Sequence, residues 1–185
     1  IHGAAGGVGT VAAQLAGLAG AGRIVGVVGS PNRARYAARF GFDRILLRAE
    51  LPDAAGEERF DVVLDPVGGR TRRDGLRMLA PHGRLVAYGT VGGGEPALAD
   101  TDDLLMSGTS LLTYNSHLLG RTHPQRLADS ARQALGLLAD GRIRIDITAE
   151  YALDEVGTAV QRLREGATVG KSVLRIDGSP GGRPR

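Results

Sequence analysis

The stretch HGAAGGVGTVAAQLAGL, residues 2–18, constrains this chain more than any other. Gly3, Gly6 and Gly9 recur at i, i+3 and i+6. Read as a phosphate loop, the better alignment is Ala4-Ala5-Gly6-Gly7-Val8-Gly9, with alanine in the first glycine position. Val8, Val11, Ala12, Leu15, Ala16 and Ala19 then follow at helical spacing, and RIVGVV (23–28) reads as a β-strand. A glycine loop that opens a helix lets a pyrophosphate approach the free N–H groups at the helix start, where the dipole favours negative charge. Gly6 makes room for that approach, and Gly9 lets the helix pack closely on the sheet. Ile1 and His2 read as the last residues of the strand that feeds the loop. That strand is the centre of such a sheet, so its loss would leave two half-sheets with unpaired backbone groups. The expectation is a fragment of a larger polypeptide, the alternatives being a strand from another chain or a rearranged sheet.

Further along, apolar runs alternate with helical patterns. SPNRARYAARFG (30–41) is a helix with Ser30 as N-cap, Pro31 at its first position and Gly41 past its end. DRILL (43–47), FDVVLD (60–65), GRLVAYG (83–89) and TSLLTYN (109–115) are strands, and TRRDGLRML (71–79) is a short helix. Nearly continuous apolar strands separated by helices predict an α/β domain with a parallel sheet covered on both faces. From about residue 116 the pattern changes. PQRLADSARQALGLLADG (124–141) is amphipathic through Leu127, Ala131, Ala134, Leu135 and Leu138. RIRIDI alternates like a half-exposed strand. ALDEVGTAVQRLREG is a helix capped by Asp154 with Val156, Ala159, Val160 and Leu163 on one face, and GKSVLRI (170–176) is a last strand. The tail DGSPGGRPR is expected to be disordered.

Composition narrows the function. The net charge is +3, but the basic residues are spread along the chain and the aromatics amount to 4%, so no stripe suited to nucleic acid forms. No run approaches the ~20 apolar residues of a membrane helix. With no cysteine, disulfides and thiolate zinc sites are out of the question, and a cytoplasmic protein is expected. His2, His82, His117 and His123 are scattered without metal-ligand spacing, with His82 read as a turn residue. No catalytic constellation emerges, which a hydride-transfer protein tolerates because the cofactor carries the chemistry.

The choice of dinucleotide falls at the end of the strand after the loop, where an NAD site places a carboxylate on the ribose. This chain has VVGSPNRAR instead. Gly29 and Ser30 are followed by Arg33 and Arg35, and Arg48 stands after the next strand. A hydroxyl and guanidinium groups suit a 2′-phosphate, so NADP is expected over NAD. Gly89 and Thr90, at a strand end, are candidates for the nicotinamide ribose. Asp65 either caps its turn or touches ligand.

HGAAGGVGTVAAQLA, GVVGSPNRARYAARFGFDRIL, FDVVLDPVGG, GRLVAYG and YALDEVGTAVQRLREGATVGKSVL together resemble the medium-chain dehydrogenase/reductase superfamily, on its zinc-independent quinone oxidoreductase and enoyl-reductase branch. The match runs in order from residue 1 to about 176. It implies a Rossmann-type doubly wound parallel sheet, truncated before or within its first strand. It also implies that the final segment returns to a GroES-like catalytic domain not contained here. By this resemblance residues 1–122 are the NADP-binding domain, 123–177 the returning segment and 178–185 a flexible tail. The resemblance puts the pyrophosphate against Ala5, Gly6, Gly7 and Val8, and the 2′-phosphate near Gly29, Ser30, Arg33 and Arg48. It puts the ribose and nicotinamide against Tyr88, Gly89, Thr90 and Val91, and the carboxamide near Leu112, Thr113 and Tyr114. At residue 48 many relatives carry Tyr or His where this chain has Arg. The branch reduces quinones or α,β-unsaturated carbonyls with NADPH, often as homodimers paired through the strand near 109–115. Three alternatives stand beside it: an enoyl-reductase domain of a polyketide synthase, a zinc-dependent alcohol dehydrogenase, and a non-catalytic nucleotide-binding protein.

Overall fold

An uninterrupted apolar strand is stable only where both its faces are covered. Val25–Val28 meets that condition: it forms β1, buried at every position, in the computed structural model, which describes residues 1–176. The predicted tail beyond residue 177 lies outside the described residues. β1 pairs in parallel with β2 (Arg44–Leu47), Val27 opposite Leu46. A second parallel sheet has the order β3 (Phe60–Asp65), β4 (Leu79–Ala87), β5 (Ser110–Thr113). The crossovers carry α1 (Gly9–Leu18), α2 (Pro31–Ala37) and α3 (Gly69–Arg77). Two helices not foreseen, α4 (Thr101–Ser107) and α5 (Ser116–Thr122), bracket β5. Beyond them come α6 (Pro124–Ala139), β6 (Ile147–Ala152), α7 (Val156–Arg164) and β7 (Lys171–Arg175), with β6 and β7 pairing in parallel.

The sheet therefore comes in two pieces, and residues 1–4 stand between them. The Ile1 nitrogen donates to Val25 O at 2.7 Å, Val27 N to Ile1 O at 2.8 Å and Ala4 N to Val27 O at 3.1 Å, while on the other side His2 N donates to Leu64 O at 2.9 Å. Ile1 and His2 thus hold the place read for them, between β1 and β3. His2 is 2% exposed, and its Nδ1 has no hydrogen-bond partner among the described residues. Burial, with the adjoining Ile1 ammonium and then Arg48 adding to it, pushes its pKa from 6.5 down to about 4 against the opposing pull of Asp65. α3 presses on this centre through Gly75, where a Cβ would lie 2.9 Å from Leu85 Cδ1 and 3.5 Å from His2 Nε2.

At the carboxyl end of β3, Asp65 is fully buried and caps the turn that follows. Its carboxylate accepts from Val67 N at 2.7 Å, Gly68 N at 3.1 Å and Arg72 Nε at 2.7 Å. Arg72 also donates to Gly89 O at 2.7 Å. The pair thereby ties the loop after β3 to the loop after β4, and Asp65 takes the capping role of the two read for it.

Three local expectations need correction. The apolar face read for α1 ran through Val8, Val11 and Leu15, yet the buried residues are Gly9, Thr10 and Ala13. The helix lies so close to the loop that a Cβ on Gly9 would collide with the Gly3 carbonyl and sit 2.8 Å from Ala4 Cα, so only small side chains fit the contact. RIRIDI forms no strand, and β6 begins at its last residue. The backbone of Ile143 and Arg144 bonds elsewhere, to Leu137 O at 3.3 Å and to Gln14 Oε1 at 2.9 Å. Asp154 caps nothing; the Glu155 carboxylate instead accepts from Ala152 N at 2.8 Å. Ser30, Pro31 and Gly41 take the capping places read for them, with Gly41 left-handed at φ 81° after a turn of 3-10 helix.

Removing one partner of a buried ion pair strands the other charge, at a cost of roughly 3–5 kcal/mol. Arg72→Met should therefore lower the unfolding free energy by about that amount in urea titrations, and a loss under about 1 kcal/mol would remove this role for the pair. For His2 the folded state holds its proton less well than the unfolded chain, so between pH 6.5 and about 4 the unfolded chain binds more protons. The stability from neutral His2 is thus complete above pH 6.5 and is lost as the pH falls towards 4. Melting temperatures of His2→Leu across that window should fall less steeply than those of the parent chain.

Candidate functional site

Open α/β sheets bind ligands beyond the carboxyl ends of their strands, and here those ends surround a cleft of about 770 Å³. Its floor is the glycine loop. Gly3 turns the chain at φ 68°, Gly6 N donates to Gly3 O at 2.9 Å, and Thr10 N donates to Gly6 O at 3.1 Å to begin α1. Ala5, Gly6, Gly7 and Val8 all line the cleft. Above Gly6 a Cβ would stand 3.3 Å from Gly3 O, so the bare glycine keeps the backbone accessible. N–H groups at a helix start, uncovered by side chains, form a cradle that fits a pyrophosphate.

Gly29, Ser30, Arg33 and Arg48 converge at one end of the cleft. A Cβ on Gly29 would lie 3.3 Å from Arg48 Nη2 and 3.9 Å from Arg33 Nη1, so two guanidinium groups share the space that glycine leaves open. Ser30 Oγ accepts from Arg33 N at 3.5 Å, which leaves its own proton available to an acceptor. Arg33 Nη2 donates to Thr168 O at 3.0 Å and to Gly166 O. Arg35 turns to Asn32 on its own helix and does not line the cleft. The acid among the described lining residues, Glu165, accepts from Gln161 Nε2 at 2.6 Å. Two guanidinium groups and a hydroxyl thus stand together at this corner.

At the other end Tyr88 and Val91 line the cleft. Burial, with the Asp65 charge adding to it, pushes the Tyr88 hydroxyl up to about 12, so it stays protonated at neutral pH and can donate a hydrogen bond. Gly89 and Thr90 lie in the same loop without lining the cleft, Gly89 being held by Arg72 and packed on Pro66. Leu112, Thr113 and Tyr114 lie on or just beyond β5, exposed and outside the cleft, with Tyr114 N bonded to Ala87 O at 2.9 Å.

The wall opposite the glycine loop was not foreseen. It comes from the end of α7 and the loop to β7: Leu163, Arg164, Glu165, Gly166, Thr168 and Gly170. Gly170 N donates to Ala5 O at 2.8 Å, and Gly170 forms a parallel bridge with Gly6. The signal available was GATVGK, whose Gly166 and Gly170 both take positive φ, at 64° and 60°, where side chains are disfavoured.

The histidine that lines the cleft is His2, buried and held neutral. His82, His117 and His123 are exposed outside it, His82 in a left-handed turn at φ 64°. No group of three metal-ligating side chains gathers among the described residues, nor is any of their helices long and apolar enough to cross a membrane. The arrangement can bind and orient a dinucleotide.

A family model described as zinc-binding dehydrogenase matches residues 7–134. A quinone oxidoreductase of Pseudomonas aeruginosa is 33% identical, over 94% of this chain and 54% of that protein. An acryloyl-coenzyme A reductase of Metallosphaera sedula is 32% identical, over 94% of this chain and 49% of that protein. The crystal structure of Escherichia coli quinone oxidoreductase complexed with NADPH superposes with a TM-score of 0.77 at 30% identity, over 94% of this chain and 55% of that one. The chain thus spans about half the length of the curated relatives it matches. Glycine loop, parallel sheet and order of elements agree with these matches, and the chain belongs to the zinc-binding dehydrogenase family, within the medium-chain dehydrogenase/reductase superfamily.

Proposed function

We propose that the chain is the NADPH-binding portion of a cytoplasmic oxidoreductase that transfers hydride to a quinone or an α,β-unsaturated carbonyl. The observation that carries the cofactor is the pair of guanidinium groups, Arg33 and Arg48, meeting above Gly29 beside the Ser30 hydroxyl. A ribose diol at this corner would find no carboxylate acceptor at the end of β1, whereas a 2′-phosphate would find two cations and a hydroxyl. Relatives named for quinone and acryloyl-coenzyme A reduction support the substrate class. When bound, the cofactor supplies the hydride. The loop residues Ala5–Val8 would hold its pyrophosphate, Tyr88 and Val91 would flank the ribose and nicotinamide, and Gly89, Thr90 and Leu112–Tyr114 would complete that end. The exposed apolar residues of α7, Leu163 at 66% among them, support a further part of the polypeptide packing against this segment.

The same reading makes the protein a homodimer through β5. This strand is the edge of its sheet, and Leu112 is 47% exposed, leaving backbone and side chain ready to pair with a second copy.

Calorimetric titration should show NADPH bound more tightly than NADH. Arg48→Ala should weaken NADPH about ten- to a hundredfold and leave NADH within about twofold. Equal affinities in the parent chain would rule out the 2′-phosphate site. Sedimentation should find a dimer that Leu112→Lys converts to monomer; a monomeric parent would dismiss the β5 interface.

A further inference from the structure

Arg72 is the fourth residue of α3, close to the helix end whose dipole disfavours a cation. Asp65 holds it there: the buried carboxylate accepts from Arg72 Nε at 2.7 Å. The arginine side chain is only 15% exposed and does not line the cleft. Its second arm reaches the next loop, where Nη2 donates to Gly89 O at 2.7 Å. A Cβ on Gly68 would stand 3.6 Å from both Arg72 Nη2 and Thr90 Cα, so the guanidinium passes where that glycine leaves room. The loop it reaches, residues 88–92, lines the cleft through Tyr88, Val91 and Gly92. Three backbone bonds lay it on the loop after β3. Tyr88 N donates to Asp65 O at 3.0 Å, Val91 N to Pro66 O at 3.0 Å and Gly92 N to Val67 O at 2.9 Å. Gly89 and Thr90 fall between these bonds, and there the guanidinium takes over as the tether. A Cβ on Gly89 would lie 2.7 Å from Pro66 O, so at this point backbone packs on backbone.

We propose that Arg72 is a positioning residue for the cofactor: by bridging Asp65 and the Gly89 carbonyl, it sets where loop 88–92 meets the nicotinamide and its ribose. The proposal rests on the NADPH reading above and deepens it by separating the two ends of the ligand. Arg33 and Arg48 act on the adenosine end by direct charge. Arg72 acts on the nicotinamide end through the loop, without touching the ligand. A guanidinium permits this because it holds donors for two acceptors in one rigid plane. Lysine offers a compact point charge, which can stay with Asp65 but has no second arm for Gly89 O. Without that arm residues 89 and 90 gain freedom, and a bound nicotinamide must then remove it at the expense of affinity.

Two variants of the full chain test this with two ligands: NADPH, and adenosine 2′,5′-bisphosphate, which carries the 2′-phosphate end without the nicotinamide. Arg72→Lys keeps a cation beside Asp65. Asp65→Asn combined with Arg72→Leu leaves no buried charge, and the carboxamide oxygen can still cap Val67 N and Gly68 N. Circular dichroism should show both variants folded like the parent. Both should weaken NADPH about tenfold in calorimetric titration and leave the bisphosphate within about twofold. The emission of NADPH at saturation, which reports how rigidly the reduced nicotinamide is held, should fall in both towards that of the free cofactor. A pair that served stability alone would move neither the ratio of the two affinities nor the emission. Unchanged NADPH affinity and emission in either folded variant would overturn the assignment. So would an equal loss for both ligands, since that pattern marks a displaced site. A parent chain that binds neither ligand would refute the cofactor reading itself, whereas a parent that binds both and variants that match it would refute the role of Arg72 alone.

Discussion

The site depends on the backbone pairing of residues 1–4. On one side they bond Val25 and Val27 of β1, and on the other they bond Leu64 of β3. The glycine loop inherits its position from these few hydrogen bonds. An unpaired backbone group buried here would cost as much as a lost hydrogen bond, which is why the chain enters the loop in register with its neighbours. α1 then has to pass within contact of Gly3 and Ala4, and Gly9, Thr10 and Ala13 are small enough to allow it. The helix start and its free N–H groups come to the carboxyl ends of the strands as a consequence.

A second set of contacts brings the end of the chain to its beginning. Tyr36 donates to Asp146 at 2.7 Å, and burial together with that bond pushes the phenol well above its ordinary pKa. The Arg144 guanidinium stacks 4.8 Å from the Phe40 ring, and Arg33 bonds carbonyls on both sides of Ala167. The segment before β7 therefore rests on α2 and on the glycine loop at once. Arg33 therefore stands beside Gly29 and at the same time fastens the wall that closes the cleft.

Much of the fold was legible because its signals are local. FDVVLD coincides with β3, Ser30 and Pro31 begin α2 as their side-chain chemistry demands, and the parallel arrangement follows from apolar runs too continuous for a half-exposed strand. The misread elements are those whose partners are distant. RIRIDI has a strand's alternation, but Gln14, some 130 residues away in sequence, takes the Arg144 N–H that a strand neighbour would have used. α1 has an apolar stripe, yet the closeness of the loop selects its small-residue face for burial. Of the residues that the resemblance assigned, Ala5, Gly6, Gly7, Val8, Gly29, Ser30, Arg33, Arg48, Tyr88 and Val91 line one cleft, while Leu112, Thr113 and Tyr114 stay outside it.

By itself the sequence determined the glycine loop, the helix it opens, the parallel α/β class and the absence of a carboxylate after β1, because each follows from residue type and spacing over a few turns. Only the tertiary structure decided that Arg48 and Arg33 meet above Gly29, that Asp65 is spent on a turn and on Arg72, and that Lys171 lies on Gly7. Those placements depend on how the β6–α7–β7 segment docks and on how close two backbones come where side chains are missing. Periodicity along the chain carries no information about either distance.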